Sequence, residues 1–253
     1  MVVSPAPPAD GNPILQTRGL VSGYGRVETL HGIDVDVPAR GITTIVGPNG
    51  SGKSTLLKSV VGLLRPWEGD VLFDGRQVGG KAVHKLVREG LCLVPQGRVV
   101  FPNLTVEENL RISGFTLRDE RVLNERLEAA FEFFPSLAQR RRYLANNLSG
   151  GEQTMLALGK AIMLSPRLLL LDEPSLGLSP KNMDMVFAHV VSLAERGMPI
   201  LIVEQNVRKG LSVADHAIVL VLGVVRFEGR PDELESKVDL ARLFLELDEE
   251  GVS

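Results

Sequence analysis

The fold is decided by one stretch of nine residues, Gly47-Pro48-Asn49-Gly50-Ser51-Gly52-Lys53-Ser54-Thr55. It follows the apolar run 42–46, which is rich in β-branched residues and predicts a buried strand. It precedes Leu56, Leu57, Val60 and Val61, whose spacing predicts a helix. A strand, a glycine loop and a helix form the context in which the pattern G-x-x-x-x-G-K-[ST] indicates a phosphate-binding loop.

Each part of this loop has a chemical role in phosphate binding. The glycines lack a Cβ atom, so the loop can turn its N–H groups towards a phosphate chain at the positive end of the helix. Lys53 would reach the β- and γ-phosphates of ATP, and the Ser54 hydroxyl would ligate Mg²⁺. Thr55 would donate a further hydrogen bond to phosphate. The alternative is an ordinary glycine-rich turn with a chance lysine, and the strand and helix on either side argue against it.

A pair of acids follows a second predicted core strand. The apolar run 168–171 ends in Asp172-Glu173-Pro174. Two acids at the carboxyl end of an apolar strand are costly unless they bind something, because burial desolvates their charge. Asp172 fits the carboxylate on the Mg²⁺ side of a P-loop nucleotide hydrolase, and Glu173 fits a base that polarises the attacking water. The alternative is a pair of helix-capping or salt-bridged acids.

Two further strands end in polar residues. The run 91–94, which contains the single cysteine Cys92, ends before Gln96, and the run 200–203 ends before Glu204-Gln205-Asn206. Ligands of α/β proteins bind at the carboxyl ends of parallel strands. Gln96 is therefore a candidate γ-phosphate or Mg²⁺ contact. Cys92 is predicted to be a buried strand residue in a reducing compartment.

The residues from 105 to 164 have a helical pattern throughout. A capping box begins at Thr105, and a second helix is predicted from Arg118 to Phe134. In Leu148-Ser149-Gly150-Gly151-Glu152-Gln153, capping by Ser149 and Glu152 is the structural explanation. It leaves the two glycines unexplained, since glycines weaken a first turn. Glycines at a helix N-terminus let another molecule approach the backbone, which indicates a second phosphate site.

The rest of the chain limits the class of protein. Segments 14–24, 27–37 and 70–75 predict a small antiparallel sheet, with Tyr24 as a half-buried strand aromatic. A net charge of −3 argues against a nucleic-acid footprint, and the basic run 139–142 is more typical of a solvated face.

Neither end of the sequence adds a targeting or membrane segment to the prediction. Residues 1–12 predict a disordered leader rather than a signal peptide, and residues 243–253 an acidic tail. The longest apolar run, 217–225, is about half of the ~20 residues that a membrane-spanning helix needs. We therefore expect a soluble α/β chain whose membrane role, if it has one, comes through a partner.

Taken in order, these motifs resemble the ATP-binding subunits of ABC transporters. The resemblance rests on five motifs: the P-loop, Gln96, LSGGEQ at 148–153, LLLLDEP at 168–174 and VEQN at 203–206. It covers about residues 14–240. A narrower resemblance is to one of the two ATPases of bacterial branched-chain amino acid uptake systems. It rests on VPQGRVVFPNLTVEENL, GEQTMLALGKAIM, DEPSLGL and VEQN. Urea and amide uptake ATPases share much of this wording.

The resemblance implies a fold and a set of roles. The fold is an ABC ATP-binding domain over 13–242, with a RecA-like core of mostly parallel strands, an antiparallel β-subdomain and an inserted helical subdomain at about 98–165. Tyr24 would stack on adenine, Ser54, Gln96 and Asp172 would serve Mg²⁺, and Glu173 would be the catalytic base. Ser149, Gly150 and Gly151 would contact the γ-phosphate of ATP held by another subunit.

The resemblance also implies partners and a location. ATP would be sandwiched head-to-tail between two ATP-binding subunits, identical or different, at the cytoplasmic face of the inner membrane. The helical segment and the Gln96 loop would receive a transmembrane permease subunit, with contacts at Phe101-Pro102. An extracytoplasmic solute-binding protein would act indirectly, and no nucleic acid is expected.

Two positions depart from the family pattern. Gln205 stands where ABC ATPases usually carry a histidine, so it can hydrogen-bond a γ-phosphate but cannot carry charge. Ser179 replaces the acid that usually precedes the helix proline. Two alternatives stay open: an ABC ATPase that serves another transporter, for urea, amides or lipid export, and an ABC protein that acts on nucleic acid or ribosomes.

Overall fold

The structure is a computed structural model that describes residues 12–97, 99–117 and 119–237. All of the predicted leader except Asn12, and the predicted acidic tail, lie outside the described residues. The strands are β1 (Leu15–Tyr24), β2 (Val27–Val37), β3 (Ile42–Val46), β4 (Glu68–Phe73), β5 (Arg76–Gln77), β6 (Leu91–Val94), β7 (Leu168–Asp172), β8 (Ile200–Glu204), β9 (His216–Val221) and β10 (Val224–Gly229). The helices are α1 (Lys53–Val60), α2 (Val83–Glu89), α3 (Val106–Ser113), α4 (Glu120–Phe133), α5 (Pro135–Gln139), α6 (Gly150–Ile162), α7 (Pro180–Glu195), α8 (Val207–Leu211) and α9 (Pro231–Lys237).

The larger sheet places the candidate site. Its strand order is β10-β9-β3-β8-β7-β6, and the pairs from β9 to β6 are parallel. These strands are buried on both faces, so most of their residues are apolar and do not alternate with exposed polar ones. Leu168 and Leu170 of β7 pack into one apolar cluster with α1 and the smaller sheet, whereas Leu169 and Leu171 pack into another with α6 and α7. The predicted α/β core with a mostly parallel sheet is confirmed.

The smaller sheet is antiparallel, with the order β2-β1-β4-β5. The hairpin between β1 and β2 turns at Gly25, where φ is +62°. Tyr24 pairs with Val27 directly beside this turn, at the closed end of the hairpin. The predicted antiparallel sheet beside the core is therefore present.

The segment between β6 and β7 consists of separate helices joined by turns, which agrees with the helical pattern predicted over 105–164. Helix α3 stops at Gly114, and α4 stops where Phe134 leaves helical geometry ahead of Pro135. The helix predicted over 118–134 begins at Glu120, with Asp119 as its N-cap. Buried side chains of these helices share one apolar cluster with β6, β7, β8 and α7.

The basic run 139–142 is an ion-paired element of the fold. Arg140 pairs with Glu152 of α6 at 2.7 Å, and Arg141 pairs with Glu107 of α3 at 2.6 Å. The two side chains are 42% and 36% exposed, as expected for a solvated face, and the sequence analysis did not foresee their ion pairs with acids on neighbouring helices. None of the helices within the described residues is long and apolar enough to cross a membrane.

Candidate nucleotide site

The predicted phosphate loop connects the carboxyl end of β3 to the N-terminus of α1. At Gly47 a Cβ atom would lie 2.1 Å from the carbonyl oxygen of Leu220, so a larger residue cannot occupy this position without displacing β9. Gly52 is the N-cap of α1 and has φ of +101°, a conformation that L side chains rarely adopt. The glycines are thus required by the loop's own geometry, which leaves N–H groups at the positive end of α1.

The other loop residues differ in exposure. Asn49 and Gly50 are exposed at the tip and Pro48 is half-buried, whereas Thr55 is buried in the first turn of α1. The Ser51 hydroxyl is buried and has no hydrogen-bond partner among the described residues. A buried hydroxyl without a partner is unfavourable, and it indicates unused hydrogen-bonding capacity inside the loop.

Lys53 lies under this loop with its ammonium group directed into it. Its Nζ donates to the carbonyl oxygens of Gly47 at 2.8 Å and Pro48 at 2.9 Å. Burial lowers the pKa of Lys53, and the negative charge of three nearby carboxylates opposes that shift. The three carboxylates belong to Glu173, Asp172 and Glu204. The hydrogen bonds of the ammonium group thus go to neutral carbonyl oxygens, which an anionic phosphate chain can replace as acceptor.

Ser54 and Asp172 form a pair of oxygen ligands beside the loop. The Ser54 hydroxyl donates to Asp172 Oδ1 at 3.0 Å, joining the start of α1 to the end of β7. Burial raises the pKa of Asp172, and the hydrogen bond from Ser54 opposes the rise. Mg²⁺ is usually held by one or two carboxylates together with oxygens of the substrate's phosphates, so this donor set fits that ion.

Gln96 and Glu173 meet across the neighbouring strand ends. The Gln96 Nε2 donates to Glu173 Oε2 at 2.8 Å, so the amide is already directed at the predicted base. Glu173 has φ of +49°, which costs a non-glycine residue on the order of 1–2 kcal/mol. Its N–H donates to the Val203 carbonyl of β8 at 2.9 Å, one of the contacts that maintain the strained backbone.

Gln205 is exposed directly after β8. Because β8 lies between β3 and β7, this residue stands between the phosphate loop and Glu173. The register pairs Val46 with Glu204 and Asp172 with Val203, so the three strands end at the same level. The strand order thus brings together the predicted residues at the ends of β3, β6, β7 and β8.

The predicted second phosphate site begins α6. Ser149 and Glu152 form the predicted capping box, and Ser149 and Gly150 are exposed. Gly151 is buried, and a Cβ atom there would lie 3.0 Å from Cβ and Cγ of Asn182 on α7. Packing of α6 against α7 therefore explains Gly151 within the chain, a contact that the sequence analysis did not foresee.

The start of α6 lies across a cleft from the predicted base. A cavity of about 250 Å³ is lined by Gly150, Thr154, Glu173 and Leu178, among others. Tyr24 is 45% exposed, which agrees with the half-buried strand aromatic predicted from composition. Its ring lies beside Lys58 of α1, whose Nζ is 5.6 Å from the ring centroid.

Two polar contacts of charged side chains were missed by the sequence analysis. Glu204 was noted only as a residue at a strand end, yet it is buried and accepts hydrogen bonds from Ser175. Lys160 of α6 donates to the Val99 carbonyl at 2.6 Å and lies over the Phe101 ring. Burial lowers the pKa of Lys160. The sequence offered one signal for these contacts, a charged residue next to an apolar run with no role assigned to it.

This fold and site define a P-loop nucleotide hydrolase, with the phosphate loop at one parallel strand end and an acid pair at another. The family model described as ABC transporter matches residues 30–176. The chain belongs to the ABC transporter family and is one of its ATP-hydrolysing, ATP-binding subunits.

Curated relatives and solved structures agree with this assignment. The chain is 41% identical over 222 residues to the probable branched-chain amino acid transport ATP-binding protein LivF of Archaeoglobus fulgidus, covering 87% of this chain and 94% of that one. It is 41% identical over 200 residues to the high-affinity branched-chain amino acid transport ATP-binding protein BraG of Pseudomonas aeruginosa, covering 79% and 85%. An ATP-binding cassette of an ABC transporter, solved in its ADP conformation, superposes with a TM-score of 0.82 at 28% identity, covering 93% of this chain and 99% of that one.

Proposed function

We propose that this chain hydrolyses ATP to drive the uptake of branched-chain amino acids through a membrane permease. The observation that carries the hydrolytic part is the convergence of Lys53, Ser54, Asp172, Glu173 and Gln96 on one edge of the sheet. The choice of solute is supported by the two relatives at 41% identity, both named for branched-chain amino acid transport.

In the proposed reaction the chain's own residues hold the phosphates and prepare the water. The N–H groups of the loop and the Lys53 ammonium bind the β- and γ-phosphates. Ser54 and Asp172 would hold Mg²⁺, which would supply positive charge beside the phosphates. Glu173 orients the attacking water in line with the γ-phosphate and accepts its proton. The products are ADP and phosphate.

Two glutamines and one tyrosine complete the proposed site. Gln96, hydrogen-bonded to Glu173, would contact the γ-phosphate or Mg²⁺. Gln205 donates a neutral hydrogen bond to the γ-phosphate from the adjacent strand end. Tyr24 stacks on the adenine ring, and its 45% exposure at the end of β1 supports an open face for that contact.

The proposed working unit is a head-to-tail pair of ATP-binding subunits. Ser149 and Gly150 are exposed at the start of α6, and the nearest atom to a Cβ at Gly150 would lie 3.4 Å away. This open backbone supports an approach by the γ-phosphate of ATP bound to a second subunit. Leu176 is 54% exposed in the loop after Glu173, which supports a partner surface on the same side.

The proposed membrane partner docks on the helical subdomain, at about residues 98–165. A cavity of about 200 Å³ opens between β6 and α6, with Val94, Val99, Ala157 and Leu164 in its lining. Phe101 is 47% exposed beside it. An apolar groove with an exposed aromatic supports docking of a helix from a permease at the cytoplasmic face of the inner membrane. A solute-binding protein outside would then act through that permease.

Reconstitution tests this function directly. Steady-state ATPase activity is measured for the chain alone and for its complex with the permease and ATPase subunits encoded beside it, with and without leucine and the binding protein. We expect leucine to stimulate hydrolysis only in the complete complex. High activity of the chain alone, indifferent to permease and leucine, would contradict the proposal, and stimulation by urea or an amide instead of leucine would reassign the solute.

A further inference from the structure

Glu204 is a buried acid for which the proposed reaction gives no role. It is the last residue of β8, its side chain is 1% exposed, and it lies among the charges of the site. Burial raises its pKa, and the hydrogen bonds from Ser175 and Asn206 oppose that rise. Burying a carboxylate costs desolvation free energy. The hydrogen bonds that Glu204 makes therefore indicate its role.

Three donors converge on this carboxylate, and they come from two different loops. The Ser175 N–H donates to Oε1 at 3.0 Å, and the Ser175 hydroxyl donates to Oε2 at 2.9 Å. The Asn206 N–H donates to Oε2 at 3.3 Å. Ser175 belongs to the loop after the predicted base, residues 173–179, and Asn206 to the loop that carries Gln205. Glu204 therefore connects the base loop to the Gln205 loop.

The base loop contains backbone strain that such a connection can maintain. Glu173 has positive φ, a conformation that a non-glycine residue keeps only where its surroundings over-determine it. Two hydrogen bonds to β8 hold the loop in this conformation. The Glu173 N–H donates to the Val203 carbonyl, and Ser175 donates to Glu204. Without Glu204, the first of these two contacts would remain and the second would be lost.

We propose that Glu204 is a positioning residue for ATP hydrolysis, which holds the base loop through Ser175 so that Glu173 faces the attacking water. The inference rests on the proposed role of Glu173 as the base. The hydrogen bonds that Glu204 accepts come from Ser175 and Asn206 and not from the phosphate loop. Its loss should therefore lower kcat while leaving nucleotide binding by Lys53 and the loop amides nearly unchanged.

The test compares Glu204→Ala and Glu204→Gln in the assembled transporter, with kcat and KM for ATP measured separately. The alanine variant loses all three hydrogen bonds and should lower kcat by about 10- to 100-fold, the effect expected when a reacting group is misplaced by about 1 Å. Glutamine keeps the volume and one acceptor oxygen, so its kcat should recover to within about fivefold of wild type. KM should change by less than about threefold in both variants.

Two further variants separate positioning from general loss of structure. Ser175→Ala removes the hydroxyl through which Glu204 acts, so in the double variant with Glu204→Gln the two losses of kcat should be less than multiplicative. Asp215→Asn is the matched control: Asp215 Oδ2 accepts from the Ile42 N–H at 2.8 Å at the opposite end of the sheet. We expect wild-type kcat from that control.

The outcomes also distinguish this inference from the proposed function. Wild-type kcat in Glu204→Ala, or fully multiplicative losses with Ser175→Ala, would overturn the positioning role while leaving Glu173 as the base. A rise in KM matching the fall in kcat/KM would overturn it as well, since it would indicate a defect in binding. Full turnover by Glu173→Gln in the same assay would instead remove the base on which the inference rests.

Discussion

Glu107 of α3 is the centre of an ion-pair network whose contribution to stability can be tested. It accepts from Arg141 Nε at 2.6 Å and from Arg111 Nε at 3.0 Å. These hydrogen bonds, from Arg141 above all, lower the pKa of Glu107 from 4.5 to about 2. We expect Glu107→Gln, which keeps the shape and removes the charge, to destabilise the protein.

The size of the effect follows from the pKa. A change from 4.5 to about 2 corresponds to at most ~3.4 kcal/mol at about 1.36 kcal/mol per tenfold. The side chain is 26% exposed, so solvent screening reduces the expected loss to about 1–2 kcal/mol. Because the pKa is lowered in the folded state, this stability is present above pH 4.5 and is lost as the pH falls through about 2.

Urea unfolding of both proteins at pH 7, 5 and 3.5 measures this difference. The free-energy gap between wild type and Glu107→Gln should be similar at pH 7 and 5, and smaller by roughly a third to a half at pH 3.5. Glu128→Gln is the matched control, since Glu128 is 58% exposed and contacts only Arg141 in this network; its effect should be below about 0.5 kcal/mol. Equal effects of the two variants, or a gap that does not change with pH, would refute the reasoning.

Three further predictions concern single residues. Gly151→Ala should destabilise the fold by about 1–3 kcal/mol in thermal or urea unfolding, because its Cβ would press on Asn182. Gly150→Ala should change the free energy of unfolding by less than about 0.5 kcal/mol. A larger effect of Gly150→Ala than of Gly151→Ala would contradict the packing argument. Burial raises the pKa of the Cys92 thiol to about 12. Mass spectrometry should therefore find the thiol unmodified by iodoacetamide at pH 8 until the protein is unfolded. Rapid labelling of the native protein would contradict the burial of Cys92. Tyr24→Ala should weaken binding of a fluorescent ATP analogue about 5- to 10-fold, whereas Tyr24→Phe should bind it like wild type. Equal affinities of wild type and both variants would exclude stacking.

The strand ends of the site could be predicted from the sequence because their signal is local. Each buried parallel strand is a short apolar run, and the residue at which the run stops marks the carboxyl edge of the sheet. This rule located Gln96, Asp172 and Gln205 without knowledge of the strand order, since all carboxyl ends of parallel strands meet at one edge. The phosphate loop needed only its own spacing.

Contacts between distant segments could not be predicted in this way. The bond from Ser175 to Glu204 joins residues 29 positions apart, and the bond from Lys160 to Val99 joins residues 61 apart. No hydrophobic period encodes which loops approach each other, because that depends on how helices pack on the sheet. The burial of Glu204 therefore came as a finding of the structure.

The basic run 139–142 illustrates the same limit for charges. The sequence identifies the arginines but not the acids that face them, so a solvated face and a nucleic-acid contact both fitted the pattern. The fold brings Glu107 and Glu152 to Arg141 and Arg140 from two different helices. Charge patterning along the chain cannot distinguish these cases unless the partners are neighbours on one helix.

The central claim is that Glu173 is the base of an ATP-hydrolysing site shared by two subunits. The most direct test is Glu173→Gln, examined for steady-state ATP turnover and, by size-exclusion chromatography with ATP and Mg²⁺, for dimerisation. The account predicts that turnover falls by at least about a hundredfold while ATP is still bound, and that ATP-loaded subunits elute as a stable dimer. A variant that turns over ATP at the wild-type rate and stays monomeric with ATP would contradict the account.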